Sequence, residues 1–311
     1  MGRYRLYYRR NHREPSGAKG GEHMIKEIGF IGLGTVGKSM ARNLLKGNYQ
    51  LTVYDSRKGT VEELVAQGAK GASTAIEAAR GKDMVIAVLP DEKGLRQAFF
   101  AEEGFLAGID PGTILCDMGT HSLELTKELE KHAAQRKIQF VDAPVWGTKE
   151  HAAHGLLTIL VGGDNAVVSR CREVLSYVGL NILHVGGVGD ATRMKFVVTL
   201  MQSHLMEALA ESLVFGERLG FSNDQIMEVL DAGGVASPLL HKKGRSVARG
   251  DFSRNLALKY VYEGLRKVKE AADITGTRLP AMESVLDVYG EAMADGRGEE
   301  DFSAVIKVLK K

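Results

Sequence analysis

Two features of this 311-residue chain combine residue types and spacing suited to chemistry. The first is 32-GLGTVG-37, a G-x-G-x-x-G that follows the apolar run IGFIGL and precedes the helix-like KSMARNLLKG. In that setting Gly32 permits a tight turn, Gly34 lets the backbone approach a pyrophosphate, and Gly37 allows a helix to pack closely on a strand. The loop Gly32, Leu33, Gly34, Thr35, Val36, Gly37 leads into a helix N-terminus, whose free N–H groups and positive dipole end suit phosphates. Asp55 ends LTVYD, where a carboxylate accepts hydrogen bonds from a ribose, with Ser56 and Arg57 beside it. A carboxylate there repels a 2′-phosphate and favours NAD, while Arg57 and Lys58 leave NADP open.

The second feature is Lys195 in 190-DATRMKFVVTLMQS-203. If the segment is helical, Thr192, Lys195, Thr199 and Gln202 recur every three or four residues and form one polar stripe. The rest of the rod is apolar: Met194, Phe196, Val197, Val198, Leu200, Met201 and Leu205. One reading is a water-facing stripe on an amphipathic helix. The other is a buried lysine lining a site, with its pKa lowered by burial toward the range useful for proton transfer.

The elements that must position these groups fall into two sets. IGFIGL, QLTVYD, DMVIAVLP, TILCDMG, IQFVDAPV, LLTILVGG and NILHVG read as strands, alternating with segments of helical spacing such as SLELTKELEKHAAQ and NAVVSRCREVLSYV. That alternation predicts an α/β fold, a Rossmann-type doubly wound sheet, with TILVGG a candidate antiparallel member. After Gly189 no strand pattern returns, and 191–219, 223–232, 236–249, 254–275, 280–294 and 301–309 read as helices. The expected organisation is an extension over 1–24, a dinucleotide-binding domain over 25–188 and an all-helical domain over 189–311, joined by a long inter-domain helix. Lys195 starts that helix. Inter-domain clefts are preferred ligand sites, which tips the balance toward the buried reading.

Composition narrows the function classes. The chain is 44% hydrophobic and 26% charged, ordinary for a soluble protein, and a formal net charge of +2 gives no reason to expect a nucleic-acid partner. Cys116 and Cys171 have no metal-ligand spacing around them, nor do His151, His154, His184 and His204, so neither zinc nor disulfides are expected. A reduced, cytoplasmic protein fits. The apolar run Met84 to Pro90 is far too short to cross a bilayer. The Arg- and Tyr-rich start, MGRYRLYYRRNHREPSGAKGGEH, lacks periodicity; a disordered extension is preferred over a basic arm or targeting peptide.

Taken together, 29-GFIGLGTVGKSMARNLLKG-47, 88-VLPDE-92, 117-DMGTHS-122, 142-DAPVWGTKEHAAHGLLTILVGG-163, 186-GGVGDATRMKFVVTLM-201 and 301-DFSAVIKVL-309 resemble the β-hydroxyacid dehydrogenase family. Its relatives include 3-hydroxyisobutyrate dehydrogenases and glyoxylate or succinic semialdehyde reductases. The resemblance implies an NAD(P)-dependent oxidoreductase interconverting a carbonyl and a hydroxyl compound, assembled as a homodimer or homotetramer. It implies that Lys195 is the general acid and base, that Thr120 contacts the cofactor, and that Leu89 and Pro90 flank the nicotinamide.

Five positions depart from the family pattern. Gly119 and Trp146 each stand where the family usually has a substrate-side Ser, Trp146 being followed by Gly147 and Thr148. Thr199 stands for an Asn, and Glu263-Gly264 for a Lys-Asp pair. Losing a charged donor to a carboxylate costs roughly 1.5–3 kcal/mol, so an altered pocket is expected, with a bulkier or more apolar substrate. Lys259, four residues before Glu263, is a candidate replacement cation. An imine reductase and a non-catalytic nucleotide-binding scaffold are the competing readings.

Overall fold

The computed structural model describes residues 24–89, 91–101 and 104–311. The expectations for 1–23 and for Pro90 fall outside the described residues. Nine strands build one sheet: β1 (Glu27–Ile31), β2 (Gln50–Tyr54), β3 (Lys70–Gly71), β4 (Met84–Ala87), β5 (Ile114–Asp117), β6 (Gln139–Asp142), β7 (Val145–Trp146), β8 (Leu157–Gly162) and β9 (Gly179–Gly186). They lie in the order β3-β2-β1-β4-β5-β6-β8-β7, with β9 also paired to β8. β1 to β6 are mutually parallel, with Phe30 opposite Val53 on one side and Ile86 on the other. β8 runs antiparallel to β6 and β7, the orientation TILVGG was expected to permit, and β9 runs parallel to β8.

Both faces of this sheet are buried, which is why its strands read as nearly continuous apolar runs. Ile28 and Phe30 point into a core closed by α1 (Gly37–Leu45), α2 (Lys58–Val65) and α7 (Asn165–Ser176). Ile31, Val85 and Ala87 point the other way, against α3 (Ala75–Ala79), α4 (Glu92–Phe100) and α5 (Leu123–Gln135). Between β7 and β8 lies the short α6 (Lys149–Ala153), opened by a capping box of Thr148 and His151. IQFVDAPV, read as one strand, is two: it breaks after Asp142, and Val145–Trp146 pairs only with β8.

The helical body begins with α8 (Asp190–Arg218), 29 residues and roughly 43 Å long at 1.5 Å per residue. It is followed by α9 (Asn223–Ala232), α10 (Pro238–Ala248), α11 (Leu258–Thr275), α12 (Pro280–Ala294) and α13 (Ile306–Leu309). Phe196, Met206 and Leu213 of α8 pack with Met227, Leu265, Tyr289 and Phe302 into a separate core. The first turn of α8 is held by the sheet. The Asp142 carboxylate, at the end of β6, accepts hydrogen bonds from Gly189 N (2.9 Å), Thr192 N (2.9 Å) and Thr192 Oγ1 (3.0 Å). A carboxylate at a helix N-terminus satisfies orphan N–H groups and complements the dipole, so β6 fixes where α8 starts and hence where Lys195 stands.

The polar stripe of α8 faces inward and the apolar flank outward. Thr192 is 4% exposed and Gln202 9%, whereas Val197 is 61% and Met201 59% exposed. The water-facing reading of the stripe is therefore wrong. Neighbouring elements on that side, β6 and its loop on one hand and α11 on the other, cover the polar groups.

Candidate active site

The carboxyl ends of the central strands carry a continuous line of loops. The first is the glycine turn after β1. Gly32 has φ +97°, a conformation that L side chains rarely adopt, and a Cβ there would strike the Val88 carbonyl. A Cβ on Gly37 would strike the Gly32 carbonyl, so α1 can close onto the turn only with glycine there. Above Gly34, by contrast, there is open space, and the α1 N-terminus has no side-chain cap. The Gly32 amide is bonded to Tyr54 O at 3.0 Å, and the open space over Gly34 at the uncapped start of α1 is a cradle that fits a dinucleotide pyrophosphate.

Asp55, just past β2, accepts hydrogen bonds from Leu33 N (2.7 Å) and from Arg57 N and Nε (2.9 Å each). Arg57 Nη2 also reaches the Leu33 carbonyl at 3.1 Å. Burial pushes the Asp55 carboxyl up, but the bonds from Arg57 and Leu33 outweigh it and hold it below its ordinary range. Asp55 is thus an anion fixed to the glycine loop, with Arg57 pinned across it. Ser56 lies between them, and Thr35 and Val36 complete the loop.

Further along the edge, Leu89 connects the loops. Its side chain lies 3.1 Å from where a Gly32 Cβ would be, and its carbonyl 3.0 Å from where a Gly119 Cβ would be. Position 119 has no room for a side chain, because its Cβ would land on His121 Nε2. That imidazole is 1% exposed, Nε2 lies 3.5 Å from Asp117 Oδ1, and neither nitrogen has a hydrogen-bond partner among the described residues. Gly119→Ser should cost about 1–3 kcal/mol by overpacking, and His121→Ala in the same chain should restore most of it. Urea unfolding of both variants checks this; an undisturbed single variant would mean the ring swings aside freely.

Thr120 meets the helical body. Its carbonyl accepts from Lys267 Nζ of α11 at 3.5 Å, and the same ammonium lies 3.6 Å from Glu92 Oε1. Glu92 is held in turn by Ser122 N (2.6 Å) and Ser122 Oγ (3.2 Å), while Ser122 also caps α5. Glu92 and Lys267 were not anticipated. Glu92 stood in the quoted VLPDE, and Lys267 lies four residues after Glu263, as far as Lys259 lies before it. Lys259, the candidate cation before Glu263, pairs with Glu299. Glu263 itself is exposed and pairs with Arg266 at 3.4 Å.

Lys195 sits in the crevice between these loops and the helical body. Its Nζ donates to the Val145 carbonyl at 2.9 Å, and burial lowers its pKa from the ordinary lysine value to about 8. Next to that carbonyl, Trp146 donates its indole N–H to Gln202 Oε1 at 3.0 Å. Gly147 and Thr148 follow, and the Thr148 amide and hydroxyl are taken up by His151 Nδ1 at 3.1 Å each. One turn beyond Lys195, Thr199 packs on α11, its Cγ2 only 3.0 Å from where a Gly264 Cβ would be. A desolvated amine among these groups can give or take a proton at an oxygen placed beside it.

Comparison with known proteins agrees with this arrangement. Residues 27–186 match the family described as the NAD binding domain of 6-phosphogluconate dehydrogenase. Residues 189–309 match that described as NAD-binding of NADP-dependent 3-hydroxyisobutyrate dehydrogenase. Glyoxylate/succinic semialdehyde reductase 1 of Arabidopsis thaliana is 30% identical over 91% of this chain and 98% of its own. The 2-(hydroxymethyl)glutarate dehydrogenase of Eubacterium barkeri is 34% identical over 93% and 96%. A structure of Mycobacterium tuberculosis 3-hydroxyisobutyrate dehydrogenase with L-serine superposes with a TM-score of 0.85, at 28% identity, covering 93% of this chain and all of that one. With both family models matched in turn along one chain, the chain belongs to the β-hydroxyacid dehydrogenase family and is an NAD(P)-dependent oxidoreductase.

Proposed function

We propose that the enzyme reduces a carbonyl compound, or oxidises the matching alcohol, with Lys195 as the proton-transfer group, and that its substrate is neutral and bulkier than a small hydroxyacid. The carrying observation is Lys195, desolvated in the crevice and hydrogen-bonded to Val145. Bound NAD(P)H supplies the hydride. Gly32, Leu33, Gly34, Thr35, Val36, Gly37, Leu89 and Thr120 would hold the cofactor, with Asp55, Ser56 and Arg57 at its ribose. Asp55 favours NAD, since freeing Arg57 for a 2′-phosphate breaks its bonds to Asp55 and to the Leu33 carbonyl.

The neutral substrate follows from donors already in use. Every basic side chain of α11 has an acidic partner: Lys259 with Glu299, Arg266 with Glu263, Lys267 with Glu92 and Lys269 with Asp273. The Thr148 donors serve α6 and the Trp146 indole serves Gln202. A substrate carboxylate would have to break one of these pairs, at up to about 1 kcal/mol for an exposed one and more for the partly buried Lys267–Glu92. The second copy of the chain in a homodimer or homotetramer would cover the outward apolar flank of α8, where Val197, Met201, Phe215 and Leu219 are exposed. No helix among the described residues is long and apolar enough to cross a membrane, and the buried free thiols Cys116 and Cys171 suit the cytoplasm.

The test is NADH and NADPH consumption with succinic semialdehyde, glyoxylate and 3-phenylpropanal. The arylalkyl aldehyde should give the higher kcat/KM, by about tenfold or more, as expected when buried polar groups must be unpaired for the acids. Sub-millimolar KM values for succinic semialdehyde or glyoxylate would defeat the neutral-substrate reading.

A further inference from the structure

In the segment 145–150, Val145 and Trp146 belong to the sheet by pairing, opposite Ile159 and Thr158, and α6 starts at Lys149. Yet the segment bonds to the helical body three times. Lys195 Nζ donates to Val145 O (2.9 Å), Trp146 Nε1 donates to Gln202 Oε1 (3.0 Å), and Lys242 Nζ of α10 donates to Glu150 Oε2 (2.7 Å). Lys195 and Gln202 are seven residues apart, two turns along one helix face, and they meet consecutive residues of the strand. The first two bonds are therefore neighbouring rungs between β7 and α8.

The second rung is made by residues with specific reach. Gln202 is almost fully buried, and its amide oxygen takes the indole N–H rather than remaining an unpaired buried acceptor. Trp146 is 43% exposed and is the single tryptophan of the chain. A large ring held by its N–H and left nearly half exposed is placed as a wall rather than as a piece of core.

We propose that the Trp146–Gln202 bond is a strap that holds the Val145 carbonyl against Lys195, making Gln202 a positioning residue and the Trp146 ring a specificity-determining wall of the pocket. The positioning half rests on the reading of Lys195 as the proton-transfer group and the wall on the apolar-substrate reading; the strap rests on neither. With the strap closed, Lys195 has a fixed acceptor, and the half-exposed indole of the next residue is where an apolar substituent of the substrate would pack. With the strap open, β7 loses its nearest tie to α8, and both the amine and the wall become free to drift.

Because Trp146 is the only tryptophan, its emission reports on the strap directly. In Gln202→Met the emission should shift to longer wavelength and acrylamide should quench it more readily, while Gln202→Glu, which keeps an oxygen acceptor, should restore the wild-type spectrum. An unchanged spectrum and unchanged quenching in Gln202→Met would overturn the strap. With 3-phenylpropanal and NADH, Gln202→Met and Trp146→Phe should each lower kcat by about tenfold, and the double variant should fall no further. NADH affinity, read by titration, should not change. A shifted spectrum with unchanged kcat would overturn the positioning role and leave the strap standing; the activity of Lys195→Met bears on the lysine reading alone. Trp146→Ser should change the kcat/KM ratio of succinic semialdehyde to 3-phenylpropanal by about tenfold toward the smaller aldehyde. An unchanged ratio would overturn the wall.

Discussion

Lys195→Met is expected to lower kcat by roughly a thousandfold, within the range that a positioned general acid or base contributes, while NADH binding stays within about twofold. The amine reaches no other charged group strongly enough to set its pKa; burial alone brings it from the ordinary lysine value to about 8. The sign follows from that shift. Reduction needs the ammonium, so its rate should hold below about pH 8 and fall above it; oxidation needs the neutral amine and should rise across the same range. Lys195→Arg should be as inactive as Lys195→Met, because a guanidinium keeps its proton at any working pH. Steady-state rates in both directions across that pH range, beside fluorescence titration with NADH, check the expectation. Equal rates for wild type and Lys195→Met would remove Lys195 from the chemistry.

The other large effect concerns stability. Glu207 lies on α8 inside the helical body, 6% exposed, and neither carboxyl oxygen has a hydrogen-bond partner among the described residues. Burial, with Glu211 nearby, raises its pKa to about 7 from the ordinary 4.5. A carboxyl raised on folding holds its proton more tightly in the native state. Its contribution is therefore intact below the unfolded value and is lost as the pH climbs through the folded one. Above that window the charge costs about 3 kcal/mol, from about 1.4 kcal/mol per pKa unit. Glu207→Gln should then stabilise the protein by about 2–3 kcal/mol near pH 8 and by little near pH 4. Urea unfolding at both pH values decides; a gain of equal size at both would mean that the carboxyl is not ionising in place.

Much of this molecule can be read along the chain. The glycine turn, Asp55 and the helix carrying Lys195 are local patterns, and local patterns survive folding when the elements around them agree. The orientation of α8 could not be read so. Periodicity puts Thr192, Lys195, Thr199 and Gln202 on one face, but which face is covered depends on β6 and α11, far away in the chain. Lys267 was out of sight for a related reason. It lies four residues from Glu263, as Lys259 does, and only the positions of Glu299, in a loop, and Glu92, at the start of α4, decide which lysine turns toward the nucleotide-binding edge. Asp142, the anchor of α8, acts across 47 and 50 residues of chain, beyond the reach of any spacing rule. The His121 ring under Gly119 was equally out of sight, because a glycine in sequence does not say what fills the space beside it.

The contact of Thr199 with Gly264 bears on how such a pocket can change over evolutionary time. The Cγ2 methyl of Thr199 stands 3.0 Å from the site of a Gly264 Cβ, so any side chain at 264 pushes on that methyl. Asn has no such methyl. Exchanging Thr199 for Asn would therefore open the space that an Asp at 264 requires, whereas the Asp arriving first would meet a crowded helix crossing. The order of the two exchanges therefore matters: Asn at 199 first removes the methyl, whereas a side chain at 264 first asks that methyl to give by a few tenths of an ångström.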